Sequence, residues 1–241
     1  MQAKRQEAEP TENLVLGALP SRELESLMHR LELVELVDEQ VLWESDEKGE
    51  HLYFPVSSII SLMYESDNGS TLSIASIGRH GVVGTAIVMS NIKTPDLATV
   101  TRGGAAFRLK AASVQKEFAE CGDFQALLVA YTQSLIVKIS QNAICNRLHR
   151  IDQQLCRWLL DWHDELNSHD VEMTHEQIAQ ILGVRRESVS LAVSELQKQK
   201  LVKGGRGRIR LVDLEGLEKS TCECYKVIKD QSFQSLEAFR Q

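Results

Sequence analysis

Residues 173–202, MTHEQIAQILGVRRESVSLAVSELQKQKLV, constrain the fold more than any other stretch of this chain. They read as two short helices joined by a tight turn. Thr174 is placed to cap the first helix, and Gln177, three residues on, to reach back and complete a capping box. Ile178, Ala179 and Leu182 then fall on one apolar face. Gly183 stands where the chain must turn sharply, and Ala179 is small enough to let two helices approach. Val184, Val189, Ala192 and Leu196 supply the facing core of the second helix.

The outer face of that second helix opens with Arg185, Arg186, Glu187, Ser188 and Ser190. Arginine donates twice to guanine, glutamate accepts from the cytosine amino group, and serine holds phosphate, so the pattern predicts a helix presented to the DNA major groove. The run KGGRGRIRLVD follows, in which Gly204, Gly205 and Gly207 permit a tight turn between two short strands. That is the expected wing of a winged helix, with Lys203, Arg206, Arg208 and Arg210 near phosphates. Residues 171–212 hold eight Lys or Arg against four Asp or Glu, whereas the whole chain carries a net charge of -7. A basic module on an acidic protein predicts local contact with double-stranded DNA rather than a general polyanion coat.

At 241 residues and 43% hydrophobic content the chain is long enough for two domains with real cores. Residues 1–12 are polar, lack the apolar centre of a secretory signal, and are expected to be a flexible tail. No apolar run approaches the roughly 20 residues that span a bilayer, so a cytoplasmic protein with no membrane contact is expected. Of the five cysteines, Cys222 and Cys224 alone are close in sequence, within CECY. They could bind metal or respond to oxidants, but no partnered CxxC or HxxxH offers two further ligands. Packed thiols, with neither metal nor cofactor, are the expectation.

Asn13 to Leu19 and Ser21 to Leu31 predict short helices separated by Pro20, with Asn13 and Ser21 as caps. From Leu33 to about Leu109 the periodicity changes to short β-type runs: VELV, QVLW, HLYFPV, SIISLMY, STLSIASI, ATVT and AAFRL. Asp67-Asn68-Gly69-Ser70 is the clearest hairpin signal among them. So many short antiparallel strands predict a small jelly roll occupying, with flanking helices, residues 13–120. A helix is also expected from Ser113 to Phe118. A long helix should fill residues 121–147, where Phe124, Leu127, Leu128, Tyr131, Leu135, Ile139, Asn142 and Cys145 recur at three- and four-residue steps. Leu128, Tyr131, Leu135, Ile139 and Asn142 are read as a seam shared with a second copy of the chain. A hinge near Asn146 or Arg147 precedes the helix IDQQLCRWLLDWHDEL, whose Ile151, Leu155, Trp158, Leu159 and Trp162 face inward. The winged domain is placed at 148–213, and a last helix capped by Asp213 at 214–241. The fold class is α+β.

Jelly roll, long helix and winged helix-turn-helix in this order resemble the Crp/Fnr family of regulators, over nearly the whole chain. The resemblance is strongest at THEQIAQILGVRRESVSLAVSEL, where the family pattern is T-R-x-E/Q-I-A/G-x-x-L/V-G-x-S/T-R-E-T/S-V-x-R. AICNRLHRIDQQLCRWLLDWHD and CECY look like a subgroup without the usual iron-sulfur cysteines near the N-terminus. The resemblance implies a homodimeric transcription regulator that binds palindromic promoters and contacts RNA polymerase. It makes Arg186 and Glu187 the base-reading pair and Ser188 and Thr174 phosphate contacts, while Leu191 replaces a common second base-reading arginine. Family members that bind cyclic nucleotide use G-E-L followed by R-S/T-A. Here Gly84 survives, Thr85 and Ala86 follow it, and Asp96 or Pro95, just before Leu97, stands for the arginine. A carboxylate there repels phosphate, so cyclic AMP binding in the usual mode is not expected. An unfilled, vestigial pocket or one for a different, non-nucleotide effector is the expectation, with haem held by His51, His80 or Cys145, or thiols that sense oxidants, as alternatives for the sensor. A scaffold subunit with a docking β domain is the alternative for the whole chain. No phosphate-cradling, HExxH or GxSxG motif suggests an enzyme.

Overall fold

A computed structural model describes residues 8–66, 71–89, 93–205, 207–237 and 239, leaving the side chain of Glu117 aside. The hairpin turn at Asp67 to Ser70 and the wing residue Arg206 lie outside the described residues, as do residues 1–7. The rest of the expected tail differs from the expectation: Pro10–Glu12 forms a 3-10 turn with Pro10 buried. The predicted helix from Asn13 is a 3-10 turn as well, at Leu16–Ala18. Its geometry follows from Asn13, a fully buried side chain whose Oδ1 accepts from the Val15 and Leu16 amides and whose amide donates to Pro55 O and Gly81 O. Satisfying four backbone groups at once outweighs regular helix propagation here. Helix α1, Ser21–Met28, begins after Pro20.

All seven β runs form strands: β1 (Glu32–Leu36), β2 (Val41–Trp43), β3 (His51–Pro55), β4 (Ile59–Glu65), β5 (Thr71–Ile77), β6 (Leu97–Arg102) and β7 (Gly104–Lys110). They make two antiparallel sheets, β1-β7-β3 and β2-β6-β4-β5. Alternation along β3 and β7 explains how the layers join. Tyr53 and Ala106 point between the sheets, with Trp43, Ile60, Ile77, Val83 and Val100. Leu52, Phe54, Phe107 and Leu109 point the other way, onto Leu16, Leu27, Val114 and the start of the long helix. The first sheet is thus covered on both faces.

Helix α2 (Thr85–Met89) follows β5, and α3 (Ala111–Ala119) follows β7. The long helix α4 runs over Asp123–Leu148 and ends at His149. It is apolar on two sides. Phe124, Leu127, Leu128 and Tyr131 are buried in the chain's own sensor core, Leu135 packs beside them, and Asn142 Nδ2 donates to Ile74 O at 2.9 Å. The seam expected for a second copy is therefore turned inward at these positions, and Ile139 is half-buried. The exposed stripe lies one step round the helix, at Val129, Ile136 and Ile144, between 40% and 52% accessible. Periodicity selects the strongest apolar face, and the chain's own sheet has taken it.

Helix α5 occupies Ile151–Leu166, with Leu155, Trp158, Leu159 and Trp162 buried as expected. The segment after the wing holds two helices instead of one: α8 (Leu214–Ser220), capped by the Asp213 carboxylate on Gly216 N, and α9 (Glu223–Glu237). The chain breaks at Thr221 and Cys222 and returns along α4, until Leu236 enters the sensor core.

Candidate nucleic-acid interface

Between α5 and α8 lie β8 (Asp170–Val171), α6 (His175–Leu182), α7 (Arg186–Lys198), β9 (Val202–Gly205) and β10 (Arg208–Leu211). The capping box forms: Thr174 Oγ1 accepts from Gln177 N at 3.2 Å, and Gln177 Oε1 accepts from Thr174 N at 2.9 Å. Gly183 ends α6 in the left-handed conformation with φ of 66°, which lets Val184 N reach back to Ala179 O at 3.0 Å. A side chain at Gly183 would strain the backbone and also meet Leu72. Ile178, Ala179, Leu182, Val189, Ala192, Val193 and Leu196 are all buried between the two helices and α5.

That packing leaves the first turn of α7 facing outward. Arg185 stands at its N-cap, and Arg185, Arg186 and Glu187 are exposed, while Ser188 and Ser190 are half-buried. Leu191 is 73% exposed on the same side. Ser190 Oγ is 2.9 Å from His175 Nδ1, a bond that ties the start of α6 to α7. Burial lowers the His175 pKa, and the charge of Arg186 adds to this. Sequence reasoning passed over His175, whose only signal was its position beside the cap.

The wing is the three-stranded sheet β8-β10-β9, with Gly205 opposite Arg208 and Lys203 opposite Arg210. Asp170, also unremarked in the sequence, organises it. Its Oδ2 lies 2.7 Å from Arg208 Nη2 and 3.3 Å from Arg210 Nη1, both arginines remaining about half exposed. The hydrogen bond from Arg208 holds the Asp170 carboxyl below its usual range. Two guanidinium groups are thereby fixed on one edge beside α7, an arrangement suited to phosphate oxygens.

The effector-pocket residues fall elsewhere, between α2 and β6. Gly84 has a φ of 100°, and a Cβ there would lie 2.9 Å from His51 O. Thr85 is buried at the start of α2 and Ala86 half-buried after it. Asp96 O accepts from Trp43 Nε1 at 3.1 Å, and Leu97 opens β6 opposite Met63. The three residues considered for haem each have protein surroundings. His51 tilts toward Tyr53, His80 faces Glu165, and Cys145 lies against Cys222.

Residues 153–220 match the family described as the Crp-like helix-turn-helix domain. A curated relative, the transcriptional regulator SdrP of Thermus thermophilus, is 30% identical over 95 residues, covering 39% of this chain and 46% of that protein. The chain thus spans about half the length of the curated relative that it matches. Among solved structures, FixK2 from Bradyrhizobium japonicum superposes with a TM-score of 0.69 at 18% identity, over 80% of this chain and 98% of that one. A transcriptional regulator of the CRP/FNR family from Thermus thermophilus superposes with a TM-score of 0.61 at 18% identity, over 78% and 97%. The overall fold is therefore shared with these solved structures, and residues 153–220 of the chain carry a Crp-like helix-turn-helix domain.

Proposed function

We propose that this chain is a sequence-specific DNA-binding transcription regulator that acts as a homodimer on palindromic sites. The observation that carries the reading is the exposed Arg185-Arg186-Glu187 turn at the start of α7, held by the capping box and the Gly183 turn beside a wing with two ordered arginines. Arg186 and Glu187 address base edges, Thr174, Arg185, Ser188 and Ser190 meet the backbone or its neighbouring bases, and Arg206 and Arg208 follow the adjacent phosphates. Leu191 offers methyl groups where a polar reader would donate, which favours contact with a thymine methyl.

Arg186→Ala should weaken binding to the selected site by about 1–3 kcal/mol and blur preference at one base pair. Arg208→Ala should weaken all sequences alike and lower the salt slope by about one unit. Oligonucleotide selection followed by gel-shift titration at several salt concentrations reads both effects. Unchanged affinity and preference in Arg186→Ala would replace this reading with that of a scaffold subunit.

The partner copy is assigned to the exposed stripe of α4, because a second molecule would cover Val129, Ile136 and Ile144 while setting two recognition helices on one face of the duplex. Ile136→Glu should yield monomers by size exclusion with multi-angle scattering and abolish binding to the palindrome. Retention of the dimer would move the interface elsewhere.

On this reading RNA polymerase is a further partner, the chemistry involves no catalytic step, and the protein works in the cytoplasm. Among the described residues no helix is long and apolar enough to cross a membrane. The sensor pocket, with Thr85 in place of a ribose-gripping carboxylate and Asp96 in place of a phosphate-gripping arginine, does not take cyclic AMP in the usual mode.

A further inference from the structure

Cys145 and His149 lie one turn apart at the end of α4, and Cys222 and Cys224 flank the start of α9. The fold brings these two pairs together from opposite ends of the DNA-binding domain. One donor atom from each residue, three sulfurs and an imidazole nitrogen, lies within 4.8 Å of every other. Cys145 Sγ is 3.6 Å from Cys222 Sγ, and Cys224 Sγ is 3.6 Å from His149 Nδ1. Two sulfurs bound tetrahedrally to zinc at about 2.3 Å lie about 3.8 Å apart, and sulfur and nitrogen about 3.5 Å apart. The two separations thus match edges of a zinc tetrahedron.

The surroundings fit the same chemistry. His149 Nε2 lies 3.2 Å from the Glu223 carboxylate, which orients the ring and leaves Nδ1 to the sulfurs. Arg157 Nε donates to Cys145 Sγ at 3.3 Å. Three thiolates and a neutral imidazole around a divalent ion leave one net negative charge, and the Arg157 guanidinium, which also pairs with Asp161 at 2.8 Å, lies against it. All three cysteines are buried, Cys145 and Cys224 completely.

We propose that Cys145, His149, Cys222 and Cys224 form a closed structural site for a thiophilic divalent cation, with zinc indicated by the donor set. Residues 150–221, which include the whole helix-turn-helix and wing, lie between the two ligand pairs. The ion therefore clamps the entry and exit of the DNA-binding domain at its hinge on the long helix. Closing so long a loop stabilises the domain by restricting its unfolded chain, as a disulfide would. A disulfide between Cys145 and Cys222 would need the sulfurs to close to about 2.05 Å and would leave Cys224 and His149 without a role. All three thiols are also buried, unlike the accessible thiols of oxidant sensors.

The test begins with the tag-free full chain purified under reductant. Elemental analysis and native mass spectrometry should find one zinc per chain, released when a mercurial titrates the thiols. After exchange into cobalt(II), the protein should show tetrahedral d–d bands and thiolate-to-cobalt charge transfer. Cys222→Ser and Cys224→Ser should lose the ion, and Glu223→Gln should hold it roughly 10–100-fold more weakly. Cys121→Ser, an exposed thiol outside the cluster, should keep it. Absence of zinc together with absence of a cobalt spectrum in the wild-type chain overturns the proposal, whether or not the variants fold. An iron–sulfur cluster in place of a single divalent ion, or a Cys145–Cys222 disulfide in metal-free protein, overturns it equally. None of these readouts depends on DNA binding, so the site and the regulator reading stand or fall separately.

Discussion

Lys138→Met is expected to destabilise the chain by about 3–5 kcal/mol, because it strands a carboxylate inside the joint between sensor and DNA-binding domain. Lys138 comes from α4 and Glu165 from the last turn of α5, and their charged atoms meet at 2.7 Å with each side chain only about a tenth exposed. Lys138 Nζ also donates to Ser76 O at 2.8 Å. Glu165 Oε2 accepts from the Gly78 and His80 amides at 3.0 and 3.2 Å. One ion pair thus joins α4, α5 and the turn after β5. At about 2–4 °C per kcal/mol for a chain of this size, the melting temperature should fall by on the order of 10 °C. Calorimetry or circular dichroism reads the change, and a shift within error would show that the joint is wetter than it looks. Replacing both partners by apolar residues should recover only part of the loss, since two amides would still lack their acceptor.

The same pair sets an acid limit. Burial would raise the Glu165 pKa, but Lys138 and His80 outweigh it and hold the carboxyl well below the usual range. A folded-state pKa below the unfolded value means that this contribution is fully present above the unfolded pKa of about 4.3 and is lost as pH falls below it. Lys138→Met should remove that acid-side slope, which unfolding scans across the acid range can measure.

Trp162→Ala carries a comparable expected cost, about 3–5 kcal/mol, for a different reason. Trp162 is 2% exposed and packs at a tilt on Trp158, with ring centroids 5.2 Å apart. Around them Leu155, Ile178, Leu182, Val189 and Leu196 form the core of the helix-turn-helix, and Ile59 reaches in from the sensor sheet. Among the described residues the buried indole Nε1 has no hydrogen-bond partner, so packing is its main contribution. Trp162→Phe should therefore retain most of the stability, while alanine opens a cavity beneath α6 and frees α7 to tilt. Thermal unfolding separates the two variants. If alanine proves as mild as phenylalanine, the indole is not what holds the recognition helix in place.

The helix-turn-helix was legible because its signals are local. Thr174 with Gln177, Gly183 at a positive φ, and the apolar period of α5 each act within one or two turns, so residue types alone predict the conformation. The seven strands were legible for the same reason, since β-branched and aromatic runs bounded by turn-forming residues mark even one as short as VLW. Asn13 and the break at Thr221 were not, since each depends on backbone groups far along the chain or on a helix turning back across α4.

Residue pattern alone thus determined the seven strands, the helices α5 to α7, the capped turn and the exposed arginines at the start of α7, all consequences of steric and hydrogen-bonding preferences between near neighbours. Only the tertiary structure decided which apolar stripe of α4 remains open, that Asp170 holds the wing arginines, that Lys138 meets Glu165, and that His149 and Cys145 join Cys222 and Cys224. Each of these is a meeting of side chains well separated in sequence. Periodicity records which way a side chain points around its own axis, and it holds no record of what another segment will bring to meet it.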